Sequence, residues 1–493
     1  MLYDAVTDPG FCRTLLDAIG RRRTFRAESD TGAQLTASRS RVFRVLRGPA
    51  GEELPVRTMG AEQSNSSVVF GDRLVLKLFR KLEPGVNPDL EIGRFLTEKT
   101  TYRHVPPVGG ALELVRRNRP PLTVAILQGY VESSGDAWRF TLSFLGRFFE
   151  RVLSRPEAGP PPAPADRSGR GGRGEDVRPA ELAWARSWRQ GQARKPEGGD
   201  RGPDAGPHPA GLADPAEPTD EVAEIIGLYP TTVALLGRRT AELHLALASD
   251  REDPAFVPEP FSELYQRSLY QSLRSSVGRT FRQLKKGAGR LPEGVDREAA
   301  KRLLASREAL LSRFEPLLAG KIEAERIRCH GDYHLGQVLH TGKDFVILDF
   351  EGEPARPLSE RRIKRSPLRD VAGMLRSFDY AVHASLEEQR ARALLGPEQV
   401  GSLESWGRRW YLESAGAFLG AYLETVQGAD PERSEGGARI VPPDEASLGL
   451  LLEVYLLDKA IYELRYELDN RPEWARIPLA GILGLIDGGG GAG

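Results

Sequence analysis

The spacing of apolar residues predicts an N-terminal region of short strands with two helices. Apolar residues of Pro9–Gly20 fall on one helical stripe that ends beside three arginines, and this predicts a helix. The segment Arg41–Leu46 alternates polar and apolar residues and predicts a strand. The same reasoning predicts a hairpin in 66–82 that turns at Gly71-Asp72, a helix over 89–100, and strands over 111–116 and 123–131. Together these elements predict a small, mostly antiparallel sheet with one inserted helix.

From Trp138 onward the apolar spacing becomes helical over long segments. Helices are predicted over 231–248, 267–286, 298–319, Leu368–Ala384, Trp406–Val426 and Ala446–Leu468. A strand–loop–strand block interrupts them at Ile327–Glu351. The pattern as a whole predicts an α+β chain in which a small sheet-containing part is joined to a larger helical part.

One insertion differs from the rest of the chain in composition. Between Arg155 and Asp220, 23 of 66 residues are Gly or Pro, and aliphatic residues are scarce. Such a stretch buries too little apolar surface to offset its ordering entropy, so we expect it to be disordered. Trp184 and Trp188 predict at most a short transient helix within it. A plain linker and a partner-binding segment are both compatible with this composition.

Composition and charge exclude several classes of protein. The 493 residues carry 69 basic and 69 acidic side chains, so bulk electrostatic binding to nucleic acid or to an anionic membrane is not expected. The two cysteines, Cys12 and Cys329, form neither a disulfide framework nor a zinc quartet. No signal peptide and no apolar run of bilayer length is found. We therefore expect a cytoplasmic protein without a membrane anchor.

The segment from Arg328 to Pro354 contains the residues with the clearest chemical signature. His330-Gly331-Asp332 is followed by Gln337, and Asp349 ends the second strand of the predicted block. The spacing matches the kinase catalytic loop H-x-D-x-x-x-x-N, with Gln in place of Asn, followed by an Asp-Phe metal motif. Oxygen ligands that hold Mg²⁺ and a carboxylate that accepts a proton are what phosphoryl transfer requires.

The same segment has features of a zinc site and of simple turn capping. His330, His334 and His340 suggest zinc, but no cysteine or third ligand stands at zinc spacing, and the histidines lie in a Gly-flanked loop. His330 is instead expected to orient the loop, and His334 to be structural or to face the substrate. Single aspartates often cap turns, but two of them in this arrangement with Gln337 favour function.

An ATP site also needs upstream contacts to the phosphates and the base. Lys77 lies within an apolar strand and requires a negative partner, for which Glu91 in the following helix is the candidate. Ser64, Asn65, Ser66 and Ser67 offer small side chains and backbone amides for a phosphate turn, although without the context of Lys77 and Asp332 a solvated hairpin turn would be the preferred interpretation. The backbone around Gln128, Tyr130 and Val131 is the candidate for pairing with adenine.

These blocks resemble the aminoglycoside-phosphotransferase-like kinases and, within that group, the maltokinases. The resemblance is carried by EQSNSSVVFGDRLVLKLFRKLEPGVNPDLEI, LGRRTAELH, CHGDYHLGQVL, ILDFEGEPARPLSERRIKRSPLRDVAGMLRSFDYA and LDKAIYELRYELDNRPEWARIPL. The first residues, YDAVTDPGFCRTLLDAI, are similar to the join that precedes such a kinase in fusions with trehalose synthase. The 155–220 insertion and the extreme ends lie outside the resemblance.

The resemblance implies a two-lobed kinase-like fold and a specific reaction. It implies MgATP-dependent phosphorylation of maltose to maltose 1-phosphate, which feeds α-glucan (glycogen) synthesis, with trehalose synthase as a possible partner. Asp332 would be the catalytic base, Gln337 and Asp349 the Mg²⁺ ligands, and Lys77, paired with Glu91, the phosphate contact. The expected parts are a cap subdomain (1–55), an ATP-binding N-lobe (56–131), a helical C-lobe with the catalytic loop and sugar site (132–487) and a flexible tail (488–493).

The sugar contacts are less well specified by the sequence than the phosphate contacts. Eight Trp and Tyr residues lie in the last ninety positions, where rings suit sugar faces but are also typical of a helical core. The candidate substrate residues are His334, Glu351, Asp458, Lys459, Tyr462 and Glu463. The basic residues between Arg361 and Arg369 are expected to be solvated or to form structural ion pairs.

Two alternative functions remain compatible with the sequence. One is a kinase of the same fold that acts on another sugar, an aminoglycoside or an amino alcohol. The other is a non-catalytic module that regulates trehalose synthase, against which the intact motif residues argue. The sequence does not distinguish a monomer from a homodimer.

Overall fold

The computed structural model describes residues 5–27, 32–49, 51–59, 65–155, 161, 180–193, 220–392, 395–428 and 439–487. The strands are β1 Thr24–Arg26, β2 Gln34–Arg39, β3 Val56–Thr58, β4 Asn65–Phe70, β5 Leu74–Phe79, β6 Val108–Arg116, β7 Arg119–Gly129, β8 Glu259–Pro260, β9 Glu325–Arg326, β10 Val338–His340 and β11 Phe345–Ile347. The helices are α1 Pro9–Arg21, α2 Phe43–Arg47, α3 Pro88–Lys99, α4 Ala137–Leu153, α5 Ala180–Ala193, α6 Asp220–Ile226, α7 Tyr229–Leu247, α8 Glu263–Gly287, α9 Val295–Ala305, α10 Arg307–Ser312, α11 Leu358–Arg361, α12 Leu368–Arg392, α13 Pro397–Gly428, α14 Glu445–Asn470 and α15 Arg476–Ile486.

Two compact units make up the described chain. The first unit comprises the described residues of 1–137, 242–258 and 327–365, and the second those of 138–241, 259–326 and 366–493. The first unit therefore contains both the N-terminal sheet and the segment with the kinase-like motif. The domain boundaries expected from the sequence remain predictions.

A seven-stranded antiparallel sheet forms the centre of the first unit. Its strand order is β1-β2-β6-β7-β5-β4-β3, and β4 and β5 form the hairpin predicted around Gly71-Asp72. One side of the sheet packs on α1 through Leu16, Ile19 and neighbouring apolar residues. Leu90 of α3 belongs to a smaller apolar cluster with residues of β6 and β7. The sheet and its inserted helix confirm the pattern predicted from the sequence.

The predicted strand at Arg41–Leu46 is wrong, because the short helix α2 occupies this position. The ring of Phe43 is buried and lies against Gly20 of α1, where an added Cβ would come within 3.0 Å of it. Val45 is 80% exposed, so the alternate apolar positions of this segment do not share a buried face. The apolar residues of this segment stand at positions 42, 43, 45 and 46, a spacing that fits one and a half helical turns as well as a short strand.

The second unit consists mainly of helices. The predicted helices near its C-terminal end are confirmed as α12, α13 and α14, with each observed helix extending beyond its predicted bounds. The helix predicted over 298–319 is wrong as a single element, because it is divided at Ser306 into α9 and α10 and followed by a 3₁₀ turn at Glu315–Leu318. Among the described helices, none has the length and apolar composition that crossing a bilayer requires.

Part of the Pro/Gly-rich insertion is folded, which corrects the expectation of disorder across it. Residues 180–193 form α5, whose Trp184 is buried against α13. At Gly416 an added Cβ would lie 2.8 Å from Trp184 Cβ, and at Gly420 it would lie 2.7 Å from Trp188. Glycine at these two positions of α13 thus permits the close approach of α5. The rest of the insertion, apart from residues 155, 161 and 220, lies outside the described residues, as does the predicted tail.

Candidate active site

Lys77 lies at the centre of a group of carboxylates in the first unit. Its Nζ is 2.6 Å from Glu351 Oε1, 2.8 Å from Asp349 Oδ1 and 3.2 Å from Asp89 Oδ2. The residue is 9% exposed. Burial lowers the pKa of the Lys77 ammonium, but the surrounding carboxylates outweigh that effect and raise the pKa well above 10.5. The lysine is therefore charged throughout the physiological pH range.

Asp89 reaches this group from the first turn of α3. Asn87 caps the helix by accepting hydrogen bonds from the amides of Asp89 and Leu90, and Pro88 occupies the first turn. The Asp89 Oδ1 atom accepts a hydrogen bond of 3.1 Å from the Phe350 amide. One buried carboxylate thus fixes both the lysine of β5 and the backbone beside Asp349.

Asp349 has a backbone conformation that is uncommon for a residue other than glycine. Its φ is +63°, which carries strain that the surrounding contacts must offset. Its Oδ2 accepts a hydrogen bond of 3.1 Å from Gln337, and the Leu348 amide donates to the Gln337 carbonyl at 2.9 Å. Burial opposes ionisation of Asp349, but Lys77 outweighs it and lowers the pKa of the carboxyl. Gln337 and Asp349, predicted as a pair, therefore lie together.

Glu351 joins the start of β4 to the same group. Its Oε1 accepts a hydrogen bond of 3.2 Å from Asn65 Nδ2 and also contacts Lys77. Burial raises the pKa of Glu351, and the opposing charge of Lys77 reduces this rise without cancelling it. Glu351 was expected to contact substrate, but the structure places it among the lysine's partners.

The loop around Asp332 is held from within by His330. The buried imidazole bonds through Nε2 to the Leu348 carbonyl at 2.7 Å, and its Nδ1 accepts from the Asp332 amide at 3.4 Å. This tautomer, with the proton on Nε2, gives His330 the loop-orienting contacts expected of it. Gly331 has a φ of +87°, which suits glycine. His334 accepts from the Gly336 amide at 3.1 Å and so caps the short turn that leads to Gln337.

The carboxylates fit a divalent cation by their chemistry. Oxygen atoms of Asp89, Asp349 and Glu351 lie within 4.8 Å of one another. The three carboxylates and the Lys77 ammonium together carry a formal charge of −2. Oxygen donors with this charge suit Mg²⁺, and the Gln337 amide oxygen adds a neutral donor. Of the two predicted metal ligands, Asp349 thus belongs to this group of carboxylates and Gln337 donates a hydrogen bond to it, and their binding of a metal remains a prediction.

The predicted ion pair between Lys77 and Glu91 is wrong. Glu91 instead accepts hydrogen bonds from Arg328 and Arg362, with shortest contacts of 2.6 Å to each. The residue of α3 that pairs with Lys77 is Asp89, which lies two residues before Glu91 and therefore on a different face of the helix. The signal that was missed is the sequence Asn87-Pro88-Asp89, which marks the helix start and places Asp89 in its first turn.

The serine-rich segment forms a strand where it is described. Asn65, Ser66 and Ser67 belong to β4, and Ser66 also accepts a hydrogen bond of 3.1 Å from Arg80. The prediction of a phosphate turn is therefore wrong at these three residues, because they take part in ladder pairing with β5. Ser64 lies outside the described residues.

The predicted adenine contacts lie at the end of β7. Gln128 pairs with Val75 of β5 on one side and with Val108 of β6 on the other. The Tyr130 amide donates to the Arg73 carbonyl at 2.8 Å, so this donor is already used within the unit. Val131 follows directly, and its contact with adenine remains a prediction.

The predicted sugar contacts of the second unit lie on α14. The Lys459 ammonium lies 5.3 Å from the centre of the Tyr462 ring, and Asp458 is half-buried beside them in sequence. Glu463 is buried and accepts a hydrogen bond of 2.9 Å from Arg376 of α12. The expectation that Glu463 faces a cleft is wrong, because a buried arginine uses its carboxylate.

The basic residues after Pro354 form ion pairs, as the sequence suggested. Arg361 pairs with Glu83 at 2.6 Å and Arg362 with Glu91. Lys364 donates to the Pro254 carbonyl at 2.7 Å. These contacts tie the segment after the metal motif to the rest of the first unit.

Comparison with known proteins finds sequence relatives named glucosamine kinase. The chain is 28% identical over 175 residues to a glucosamine kinase of Mycolicibacterium smegmatis. The matched region covers 35% of this chain and 36% of the relative. It is 24% identical over 255 residues to one of Streptacidiphilus jiangxiensis, which covers 51% and 49% of the two chains. The matches thus span half of these curated relatives' length or less. No protein-family model matches the chain.

Solved structures of glucosamine kinase share the fold. For one of them, solved in crystal form B, the match covers 97% of this chain and 84% of the glucosamine kinase chain, with a TM-score of 0.59 and 18% identity. Another, in complex with glucosamine, ADP and inorganic phosphate, covers 94% and 90% of the two chains with a TM-score of 0.57 and the same 18% identity. This likeness confirms the predicted α+β, kinase-like fold.

Proposed function

We propose that this protein transfers the γ-phosphoryl group of ATP to a hydroxyl of a sugar. The observation that carries the proposal is the convergence of Lys77, Asp349 and Gln337 within one group of hydrogen bonds and ion pairs. Phosphoryl transfer uses a cation that binds phosphate, oxygen donors for a metal and a carboxylate that accepts the hydroxyl proton. Lys77, the carboxylates around it and Asp332 of the kinase-type loop are the residues that would supply these parts. Relatives named glucosamine kinase support the same class of reaction.

Each residue then has a defined part in the reaction. Asp332 accepts the proton of the sugar hydroxyl while the hydroxyl oxygen forms its bond to the γ-phosphorus and the bond to the ADP oxygen breaks. Lys77 binds the phosphate oxygens of ATP. Asp349 and Gln337 would hold Mg²⁺, which neutralises phosphate charge when bound. His330 orients the loop through its bond to the Leu348 carbonyl. Positioning and electrostatics supply most of the rate enhancement.

Two sugars are proposed as acceptors on different grounds. The maltokinase-like sequence blocks favour the anomeric hydroxyl of maltose, which would give maltose 1-phosphate for α-glucan synthesis and make trehalose synthase a candidate partner. The names of the relatives favour glucosamine, and one structural neighbour was solved with glucosamine and ADP. The residues described around Lys77 serve phosphate chemistry and are compatible with either sugar.

An ADP-release assay with a panel of acceptors tests the proposal. The panel contains maltose, glucosamine, other sugars, an aminoglycoside and an amino alcohol, each with MgATP. We expect ADP release that depends on maltose or glucosamine and is lost in Asp332→Asn. If only the aminoglycoside or only the amino alcohol supported ADP release, the proposal that the acceptor is a sugar would be refuted. Binding to trehalose synthase without any ADP release would favour the non-catalytic module.

A further inference from the structure

We propose that Glu91 is a positioning residue that holds the loop carrying Asp332 against the first turn of α3. The inference rests on the proposed function, because Asp332 is the base of that reaction. The Glu91 carboxylate accepts hydrogen bonds from Arg328 Nη1 at 2.6 Å and from Arg362 Nε and Nη2 at 3.0 and 2.6 Å. Burial opposes ionisation of Glu91, but both arginines outweigh it and lower the pKa of the carboxyl.

Arg328 is a buried arginine that Glu91 holds in a defined place. Its side chain is 2% exposed, and Glu91 is the carboxylate that pairs with it. The guanidinium lies 5.7 Å from the centre of the Phe256 ring, which stacks on Phe95 of α3 at 3.7 Å. Arg328 is thus fixed to α3 by charge and by ring contacts. It precedes Asp332 by only four residues, so its position sets where the loop begins.

Glu91 also binds Arg362, which directly follows α11 and stands three residues before Arg365. Ile327 and Arg365 exchange backbone hydrogen bonds of 2.9 and 2.8 Å, which places the two segments side by side. Arg362 comes from the second of these segments. The Glu91 carboxylate therefore joins α3 to two segments of the chain, the one with Arg328 that leads into the loop and the one with Arg362 that lies beside it.

The first turn of α3 contacts Phe350, in the Asp-Phe metal motif, and Arg328, two residues before the catalytic-loop motif, from different faces. Asp89 binds Lys77 and the Phe350 amide, whereas Glu91, two residues later, binds Arg328. Residues two apart on a helix do not face each other, so the turn links the metal side of the site to the side of the base. Because a displacement on the order of 1 Å costs about a hundredfold in rate, loss of this link should reduce turnover.

The variant Glu91→Gln tests this role with two readouts. It keeps the size of the side chain but removes the charge that pairs with both arginines. We expect kcat per folded molecule to fall on the order of tenfold to a hundredfold, with the KM for ATP changed much less. Hydrogen–deuterium exchange of the peptide 327–337 should be faster than in the wild type. The exchange readout does not require the substrate to be known.

Two further variants serve as control and as a safeguard against misfolding. Arg94→Gln removes an ion pair of the same helix, 3.3 Å from Glu113, that faces the sheet, and should leave both readouts unchanged. Arg362→Gln removes only the half-exposed partner and should give a smaller version of the Glu91→Gln effect, even if the latter does not fold. Unchanged loop exchange or unchanged kcat in a folded Glu91→Gln, or equal effects in Arg94→Gln, would overturn the proposal. A wild type without kinase activity would instead refute the proposed function. The hydrogen–deuterium exchange of peptide 327–337 would then still show whether Glu91 holds the loop.

Discussion

Replacing Lys77 by methionine should reverse the dependence of stability on pH. The ammonium compensates three carboxylates at 2.6, 2.8 and 3.2 Å. Removing one partner of a buried pair costs about 3–5 kcal/mol. At the 4.8 Å limit of their mutual separation, each pair of remaining carboxylates repels by about 3.5 kcal/mol at an effective dielectric constant of ~20. At least one carboxyl should therefore bind a proton near neutral pH.

The sign of the pH effect follows from the shifted pKa values. In the wild type, Lys77 lowers the pKa of Asp349, so that stability is present above the unfolded pKa and is lost only as pH falls through the lower folded value. In Lys77→Met, the folded carboxyls have raised pKa values, so stability decreases as pH rises. One extra bound proton corresponds to about 1.4 kcal/mol per pH unit, or roughly 2.7 kcal/mol between pH 8 and 6.

Urea unfolding of Lys77→Met at pH 6, 7 and 8 measures this effect. The matched control is Lys81→Met, which removes an exposed lysine 3.9 Å from Glu83. We expect the free energy of unfolding of Lys77→Met to rise toward pH 6 and that of Lys81→Met to follow the wild type. Equal stability of the three proteins at pH 8, or a fall of Lys77→Met toward pH 6, would refute the coupling of Lys77 to the carboxylates.

Three further changes probe the base, the metal ligands and the packing of α5. Asp332→Asn should lower turnover by about three orders of magnitude with little change in Tm, and near-normal activity would remove Asp332 from the base role. Gln337→Leu should raise the Mg²⁺ concentration for half-maximal rate by about tenfold in a metal titration, and an unchanged requirement would exclude it as a ligand. Gly416→Leu should destabilise the protein by about 1–3 kcal/mol in thermal unfolding, because the new side chain meets Trp184. Gly401→Ala, at a position with open space around it, should be neutral or stabilising. Equal Tm values for the two variants would contradict the close packing of α5 on α13.

The sequence predicted those elements whose apolar pattern is long and whose boundaries carry turn or cap residues. The hairpin at Gly71-Asp72 and the long helices α12, α13 and α14 are of this kind. The segment Arg41–Leu46 is too short for its periodicity to separate strand from helix. The helix α5 lies in a polar, Gly- and Pro-rich context, and its order depends on contacts with Gly416 and Gly420 that are distant in sequence.

The site was predictable in the residues that follow a fixed local spacing. Gln337 and Asp349 lie together as the motif implies. The partner of Lys77 was not predictable, because Asp89 and Glu91 both lie in the first turn of α3 and only the tertiary position of the helix decides which one reaches the lysine. Glu463 has no local signal that a buried arginine of another helix uses its carboxylate.

Phosphorus NMR of one reaction mixture tests the central claim most directly. The purified protein is incubated with MgATP and either maltose or glucosamine, and the phosphorus signals are followed over time. The account predicts that the γ-phosphate signal of ATP declines while signals of ADP and of a sugar phosphate ester grow in equal amounts, and that none of this occurs with Asp332→Asn. An unchanged ATP signal, or conversion of the γ-phosphate to inorganic phosphate alone, would contradict it.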